Sequence, residues 1–144
     1  MNPIDDHFMH AALREAQKAF DKNEVPIGAV AVQNGKIIAR AHNLREAQHD
    51  PLGHAEILLL KKLSKKLKRW RLNDIIIYVT LEPCLMCMGA LRQARVKHLF
   101  FGASPDSRVH SSIDSIQVTS NILQKECSFI LSLFFRELRK NKVS

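Results

Sequence analysis

Two short segments of the chain combine residue types that bind metals and move protons. His54 and Glu56 lie in the first, and Cys84 and Cys87 follow Pro83 in the second. Two thiolates and one imidazole are ligands suited to tetrahedral Zn²⁺. A structural zinc site is normally closed by four protein ligands, whereas a catalytic site leaves its fourth position to water. The segments therefore indicate one catalytic zinc ion per chain, held by His54, Cys84 and Cys87.

The C-x-x-C spacing of Cys84 and Cys87 also occurs in redox-active dithiols, so spacing alone leaves that alternative open. On one helix, both sulfur atoms would point to the same side, and the helix N-terminus would favour their thiolate forms. Pro83 suits the first helical position, where no amide hydrogen is needed. Cys127 is the remaining cysteine, and its apolar neighbours predict a core residue rather than a fourth ligand.

Glu56 is the candidate proton carrier. A carboxylate beside a metal-activated water molecule can take a proton and deliver it elsewhere. Because Glu56 lies two residues after His54, their side chains would diverge by about 200° on an ideal helix. We therefore expect His54 at or just before the first helical turn, with Glu56 pointing over the metal. The alternative is a helix-start carboxylate that is stabilised only by the helix dipole.

Hydrophobic periodicity predicts the elements that must position these residues. Helices are predicted from Asp5 or Asp6 to about Asn23, from His54 to before Asn73, from Pro83 to about Arg95, and from near Leu123 onwards. Strands are predicted at residues 25–32, 36–42, 75–80, 96–101 and around Val118, with a tight Asn34-Gly35 hairpin turn. Residues 75–80 are almost continuously apolar, which is typical of a central strand. Residues 102–115 are predicted to form a polar loop.

The order of these elements predicts an α/β fold. Helices that alternate with strands imply a three-layer α/β/α sandwich, in which helices cover both faces of a mixed five-stranded sheet. A chain of 144 residues without repeats or linkers fits one domain. We therefore expect residues 1–144 to fold as a single unit.

The charge balance favours a polyanionic partner. Lys and Arg total 22 against 14 for Asp and Glu, so the formal net charge is +8. Nucleic acid is the commonest partner of such a surface, although the basic run at residues 61–71 is first interpreted as a solvated helix face. No apolar stretch approaches the roughly 18 residues of a membrane-spanning helix. The N-terminus has neither the basic start nor the apolar run of a secretory signal, which predicts a cytoplasmic protein without a membrane partner.

Several segments resemble the bacterial tRNA-specific adenosine deaminases, members of the zinc-dependent cytidine/deoxycytidylate deaminase superfamily. The H-x-E and P-C-x-x-C segments match the signature of zinc nucleobase deaminases. The resemblance extends to residues 24–30 (EVPIGAV), Asn43, 49–51 (HDP), 80–91 (TLEPCLMCMGAL), 126–127 (EC) and 134–136 (FFR). It covers most of the chain, from the first predicted helix to the last.

The resemblance implies that residues 1–144 form one zinc-dependent deaminase domain with the cytidine-deaminase fold, active as a cytoplasmic homodimer. The implied reaction is hydrolytic conversion of adenosine to inosine at the wobble position of a tRNA anticodon. Water activated by zinc would attack C6 of adenine while Glu56 shuttles the proton, and ammonia would leave. Asn43 is expected to contact the flipped-out nucleoside, and Ile27 to help form its pocket. RNA contacts are expected from Arg108, Phe135 and Arg136.

One loop departs from the family pattern. After residues 100–103 the family usually continues Arg-Asp-x-Lys-x-Gly-Ala-Ala-Gly-Ser, whereas this chain reads SPDSRVHSS at residues 104–112. Pro105 fixes φ and removes an amide donor, so the backbone cannot offer the same hydrogen bonds to RNA. We expect Asp106 and Arg108 to take over these contacts in a shifted register; the alternative is that the RNA contacts move elsewhere and Arg108 is only solvated.

Two rival functions remain at this point. A deaminase of a free base or nucleoside, of the guanine or cytosine type, would use the same zinc and glutamate, although a small neutral base needs no basic surface. A nucleic-acid-binding module with structural zinc would need a fourth protein ligand and would give Glu56 no role.

Overall fold

The computed structural model of the chain describes residues 2–105, 112–113 and 116–143. Its helices are α1 (Pro3–Asp21), α2 (Ala55–Leu67), α3 (Leu85–Gln93) and α4 (Gln124–Val143). Its strands are β1 (Gly28–Gln33), β2 (Lys36–His42), β3 (Ile76–Leu81), β4 (His98–Ala103), β5 (Ser112–Ile113) and β6 (Ile116–Thr119). None of the helices in the described ranges is both long and apolar enough to cross a membrane.

The strands form one mixed sheet in the order β2-β1-β3-β4-β6-β5. β1 is antiparallel to both β2 and β3, whereas β3, β4 and β6 run parallel to one another. The five predicted strands are all present, and the two-residue β5 adds a short antiparallel edge beside β6. The predicted mixed five-stranded sheet is therefore confirmed, and β5 extends it into the segment that was predicted to be a loop.

Local sequence explains the hairpin and the central strand. Asn34 and Gly35 both have positive φ, at 52° and 76°, which the tight turn between β1 and β2 requires. β3 lies between β1 and β4 and is buried along residues 77–80. Both of these sequence-based predictions are confirmed.

Helices cover both faces of the sheet. On one face, α2 and α3 pack against the strands through the side chains of Leu59, Leu63, Leu91, Ile77 and Leu99. On the other face, α1 and α4 pack through Met9, Ala12, Cys127, Val30 and Phe100. Cys127 is fully buried there, which confirms its prediction as a core residue. This arrangement is the predicted three-layer sandwich.

Two glycines allow α1 and α4 to approach the sheet backbone directly. A Cβ atom on Gly28 would collide with the backbone of α1 at Ala12 and Ala16. A Cβ atom on Gly102 would collide with the Cys127 sulfur. α4 is consequently held close against the end of β4, next to the chain segment that leads into residues 104–105.

Two helices begin at residues other than those predicted. α1 is capped by Asn2, whose side-chain oxygen accepts a hydrogen bond from the Ile4 amide at 2.9 Å, and not by Asp5 or Asp6. The N-cap of α3 is Cys84, so Pro83 precedes the helix instead of opening it. The Glu82 amide still donates to the Ala103 carbonyl at 2.8 Å, which prolongs the strand geometry and delays the start of α3.

The first and fourth strands also begin later than predicted. Residues 25–27 form a tight turn in which the Ile27 amide donates to the Val25 carbonyl at 2.8 Å, so β1 starts at Gly28. The Val96 amide bonds back to the Leu91 carbonyl at 3.3 Å. Val96 therefore belongs to the connection from α3, and β4 starts at His98.

Candidate active site

α2 and α3 each begin at a potential metal ligand. His54 is the N-cap of α2, with φ −78° and ψ 150°, and Cys84 is the N-cap of α3, with φ −68° and ψ 173°. Neither side chain makes a capping hydrogen bond to its own helix. Both side chains are therefore available to face each other, and the expectation that His54 precedes the first helical turn is confirmed.

The distances between the three candidate ligands fit a tetrahedral zinc ion. His54 Nδ1 lies 3.6 Å from the Cys84 sulfur and 3.5 Å from the Cys87 sulfur, and the three atoms all lie within 4.8 Å of one another. Zinc bonds of roughly 2.1 Å to nitrogen and 2.3 Å to sulfur place these atoms about 3.6 Å apart at a tetrahedral angle. Among the described residues, this is the one His, Cys, Asp or Glu cluster with such geometry.

The electrostatics of the cluster also suit a bound cation. Burial, assisted by the charge of Arg45, lowers the pKa of His54, which favours the neutral imidazole that ligates metals. Burial raises the pKa of the Cys87 thiol, and the nearby Glu56 and Cys84 act in the same direction. These influences oppose the thiolate form of Cys87 that the helix N-terminus is expected to favour. A divalent cation would supply the missing positive charge.

Glu56 lies in the first turn of α2, where its side chain is buried. Burial raises its pKa to about 7, although its own backbone amide and the Cys87 thiol partly oppose this shift. A carboxyl group that titrates near neutral pH can both accept and donate a proton. The environment therefore suits Glu56 to acid–base catalysis rather than to helix capping alone.

A cavity of about 190 Å³ joins Glu56 to the ligand cluster. Its wall is formed by Ile27, His54, Glu56, Leu81, Glu82, Cys84 and Pro105. The cavity lies at the carboxyl ends of the parallel strands β3 and β4, which is where ligands commonly bind in α/β sheets. Ile27 thus lines the same cavity as Glu56 and His54.

Asn43 does not itself line the cavity, but it is bonded to Ile27 of the cavity wall. Its backbone amide donates to the Ile27 carbonyl at 3.1 Å, and its buried side-chain amide donates to Glu24 at 3.3 Å. Glu24 belongs to a family-like segment, but sequence reasoning predicted no role for it. The sequence feature that could have drawn attention to Glu24 is its position as a lone acidic residue next to the apolar residues of the first strand.

Glu82 is a second buried carboxylate that sequence reasoning did not single out. It is 4% exposed, lines the cavity and accepts a hydrogen bond from the Ser104 hydroxyl at 2.6 Å. Ser104 occupies the position where the family usually has arginine. This chain therefore anchors the end of β4 to the cavity wall through a short neutral side chain.

A second groove, of about 440 Å³, adjoins the cavity that Glu56 lines. The two share Leu81 and Pro105. α4 contributes Phe135, which is 41% exposed, and Arg139, one turn further on. Arg136, which is also described, is not part of the lining, and Arg108 and Asp106 lie outside the described residues.

The basic run at residues 61–71 is partly engaged in structural contacts. Lys62 and Lys66 on α2 donate to the carbonyl oxygens of Arg40 and Ile38, at 2.6 and 2.7 Å. These carbonyls belong to β2, an edge strand of the sheet. Covering an edge with lysines discourages pairing with another chain, so these two lysines have a structural explanation.

Comparison with known proteins agrees with the geometry. The MafB19-like deaminase family matches residues 4–139. A tRNA-specific adenosine deaminase from Bacillus subtilis (strain 168) is 46% identical over 149 residues, which cover 96% of this chain and 92% of the relative. The chain belongs to the tRNA-specific adenosine deaminase family. The resemblance inferred from the motifs is thereby confirmed.

Two solved structures place this family member among deaminases. One, from a study of A-to-I editing by tRNA:A34 deaminases at the wobble position of transfer RNA, is 36% identical with a TM-score of 0.80. The match covers 87% of this chain and 99% of that one. A guanine deaminase from Bacillus subtilis is 37% identical with a TM-score of 0.66, covering 72% of this chain and 66% of that one.

Proposed function

We propose that this enzyme converts adenosine to inosine by hydrolysis at the wobble position of a tRNA anticodon. The observation that carries the proposal is that Glu56 lines one cavity with His54 and Cys84, whose ligand atoms lie within 4.8 Å of each other and of the Cys87 sulfur. The relatives that act on tRNA adenosine support the choice of substrate. The enzyme is accordingly a hydrolase of tRNA processing.

One Zn²⁺ ion per chain is the proposed cofactor. His54 Nδ1 and the sulfur atoms of Cys84 and Cys87 would hold it, and their mutual distances support this assignment. Zinc, when bound, would lower the pKa of a water molecule so that it becomes a nucleophile near neutral pH.

Glu56 is the proposed catalytic residue. As water adds to C6 of adenine, Glu56 takes a proton from it and delivers that proton to N1. Glu56 then takes the remaining proton of that water from the C6 hydroxyl group and gives it to the departing amino group, so that ammonia leaves and the C6 oxygen of inosine remains. A pKa of about 7 supports both the acceptance and the donation of a proton.

The flipped-out nucleoside would be recognised by Ile27 and Asn43, while the adjoining groove would receive neighbouring nucleotides. Phe135 offers a ring on which a base can stack, and Arg139 offers a phosphate contact. Arg136 remains a proposed RNA contact on the strength of the family resemblance, and Arg108 remains one because a shifted register of its loop would supply a phosphate contact. The net charge of +8 supports a polyanionic substrate.

We also propose that the enzyme is a cytoplasmic homodimer in which residues 1–144 of each chain form one domain. An exposed apolar cleft of about 790 Å³ supports the dimer; its lining includes Leu60, Trp70, Ala90 and Ala94. Trp70 is 59% exposed, and apolar patches of this kind often mark protein interfaces. Sedimentation equilibrium should therefore give twice the chain mass.

Deamination of free guanine is the second candidate, because the guanine deaminase from Bacillus subtilis shares 37% identity and the fold. The deciding experiment supplies zinc-loaded enzyme with an anticodon stem-loop carrying adenosine at the wobble position, and separately with adenosine, guanine and cytosine. We expect ammonia and inosine from the stem-loop alone. Ammonia from guanine, with none from the stem-loop, would replace our proposal with this second candidate.

A further inference from the structure

Glu24 is a buried carboxylate that connects Asn43 to the loop before α2. It is 1% exposed. One of its oxygens accepts hydrogen bonds from Asn43 Nδ2 at 3.3 Å and from the Glu46 amide at 3.0 Å, and the other accepts from the Ala47 amide at 2.6 Å. A carboxylate buried with three donors is costly to disturb, because each donor would be left unsatisfied.

The bond to Glu24 determines which end of the Asn43 amide faces away from it. A carboxylate accepts hydrogen bonds but cannot donate them, so the NH₂ group of Asn43 must face Glu24. The Asn43 carbonyl oxygen, Oδ1, is then directed away from Glu24 and stays available as a hydrogen-bond acceptor. Within the described part of the chain, Glu24 is the one hydrogen-bond partner of the Asn43 side chain, and the Asn43 backbone is bonded to Ile27 of the cavity wall.

We propose that Glu24 is a positioning residue for substrate recognition: it holds Asn43 with Oδ1 presented as an acceptor to the bound nucleoside. The inference rests on the proposed function, because it takes Asn43 as a contact to the flipped-out nucleoside. The group recognised by Asn43 is then a hydrogen-bond donor, such as a ribose hydroxyl or an amino group. Glu24 itself does not touch the substrate.

A competing explanation is that Glu24 acts only on the loop at residues 44–53. This loop ends at the metal ligand His54, and Glu24 binds two of its amides. Loss of Glu24 could therefore displace His54 without any effect through Asn43. The test must separate these two routes.

The test begins with Glu24→Gln, which keeps the side-chain volume but replaces one acceptor oxygen with a donor. When the new NH₂ group faces Asn43, the Asn43 amide must turn over and present NH₂ to the substrate. We expect kcat/KM on the anticodon stem-loop to fall about 10- to 100-fold, the usual consequence of mispaired buried hydrogen-bonding groups. Zinc content should remain at one ion per chain.

The decisive variant adds Asn43→Asp to Glu24→Gln. The amide introduced at position 24 can then donate to the new carboxylate at position 43, whose second oxygen again offers an acceptor to the nucleoside. We expect the double variant to recover at least about 5-fold in kcat/KM over Glu24→Gln, a positive coupling between the two changes. Asn43→Asp alone should be poorly active, because it places a second carboxylate against buried Glu24.

Loop disturbance predicts a different result, since Asn43→Asp cannot repair the Glu46 or Ala47 contacts. A double variant that is unfolded, or no more active than Glu24→Gln, would overturn the proposal.

Glu15→Gln is the matched control, because Glu15 is also a buried carboxylate but pairs with Lys18 and His42. This variant should keep the wild-type kcat/KM. If wild-type enzyme leaves the stem-loop unchanged, the proposed function has failed, and the same variants are compared on the substrate that it does deaminate.

Discussion

The floor of the catalytic cavity and the groove beside it are built in different ways. The floor brings together His54 and Glu56 at one helix start with Cys84 and Cys87 at another. The groove joins the ends of β3 and β4 to side chains one turn apart on α4. The floor therefore depends on short-range spacing within two segments, whereas the groove depends on how distant segments pack.

This difference assigns the chemical step to the residues of the floor and the choice of substrate to the residues of the groove. Metal ligation and proton transfer require fixed distances, so the floor retains the residue types and spacing of the family. The groove is lined by Ser104 and Pro105, where the family usually has a basic and an acidic residue. Changes in the floor should abolish the reaction on every substrate, whereas changes in the groove should alter affinity for RNA.

The largest effect is expected from Cys87→Ala. Removing one of the three proposed ligands should release zinc, reduce deamination to background and lower the melting temperature, because a bound metal would link two helix starts. Metal analysis by mass spectrometry and a thermal melt check these outcomes. Cys127→Ala is the control: it should reduce stability through its core position but retain one zinc ion per chain. A stoichiometric zinc content in Cys87→Ala would refute the ligand assignment.

The next largest effect should follow Glu56→Gln, which removes the proton carrier without removing a ligand. We expect the deamination rate to fall about 10²- to 10⁴-fold, which is typical of a lost general acid–base group. Zinc content and affinity for the anticodon stem-loop should stay close to wild type. The rate is measured in single-turnover reactions with metal-loaded protein, where near-normal turnover would contradict the proposed mechanism.

The same contrast explains how far the sequence could predict the structure. The floor and the start of α2 were predictable, since His54, Glu56, Cys84 and Cys87 show their spacing within two short segments. The α/β sandwich was predictable for a similar reason, because each element has its own hydrophobic period. Cys84 as the N-cap of α3 was not predicted, because this depends on a backbone bond between the ends of β3 and β4.

Contacts between distant segments escaped prediction. Glu24 binds Asn43 and the loop that leads to α2 only after α1 and the sheet have packed. In the groove, the helix phase of α4 directs Phe135 and Arg139, rather than Arg136, towards the lining. That phase depends on which residues of α4 pack against β4, and motif resemblance does not specify it.

A moderate effect is expected in the groove, where Arg139→Ala should weaken binding of the anticodon stem-loop. A lost phosphate contact to single-stranded RNA should reduce the slope of log affinity against log salt by about 0.7. Binding is measured at several salt concentrations in the Glu56→Gln background, where turnover is slow. Arg136→Ala is the matched comparison and should change the slope less. An equal slope change in the two variants would show that the groove does not define the RNA path.

The smallest effect is expected from Glu15→Gln. Glu15 lies outside both the floor and the groove, so this substitution should change the stability of the fold without changing the deamination rate. Burial alone would raise the pKa of Glu15, but hydrogen bonds from Lys18 and His42 outweigh it, so this pKa lies below its ordinary value of 4.5. A depressed carboxyl pKa stabilises the fold above the unfolded pKa, and this contribution disappears as pH falls through the folded value.

Glu15→Gln should therefore be less stable than wild type by about 1 kcal/mol at pH 7, and the difference should shrink towards zero near pH 3. Urea unfolding at a series of pH values measures it. Zinc content and the salt dependence of RNA binding should match wild type at every pH where both proteins are folded. A stability difference that grows on acidification would show that burial, rather than the two hydrogen bonds, controls the ionisation of Glu15.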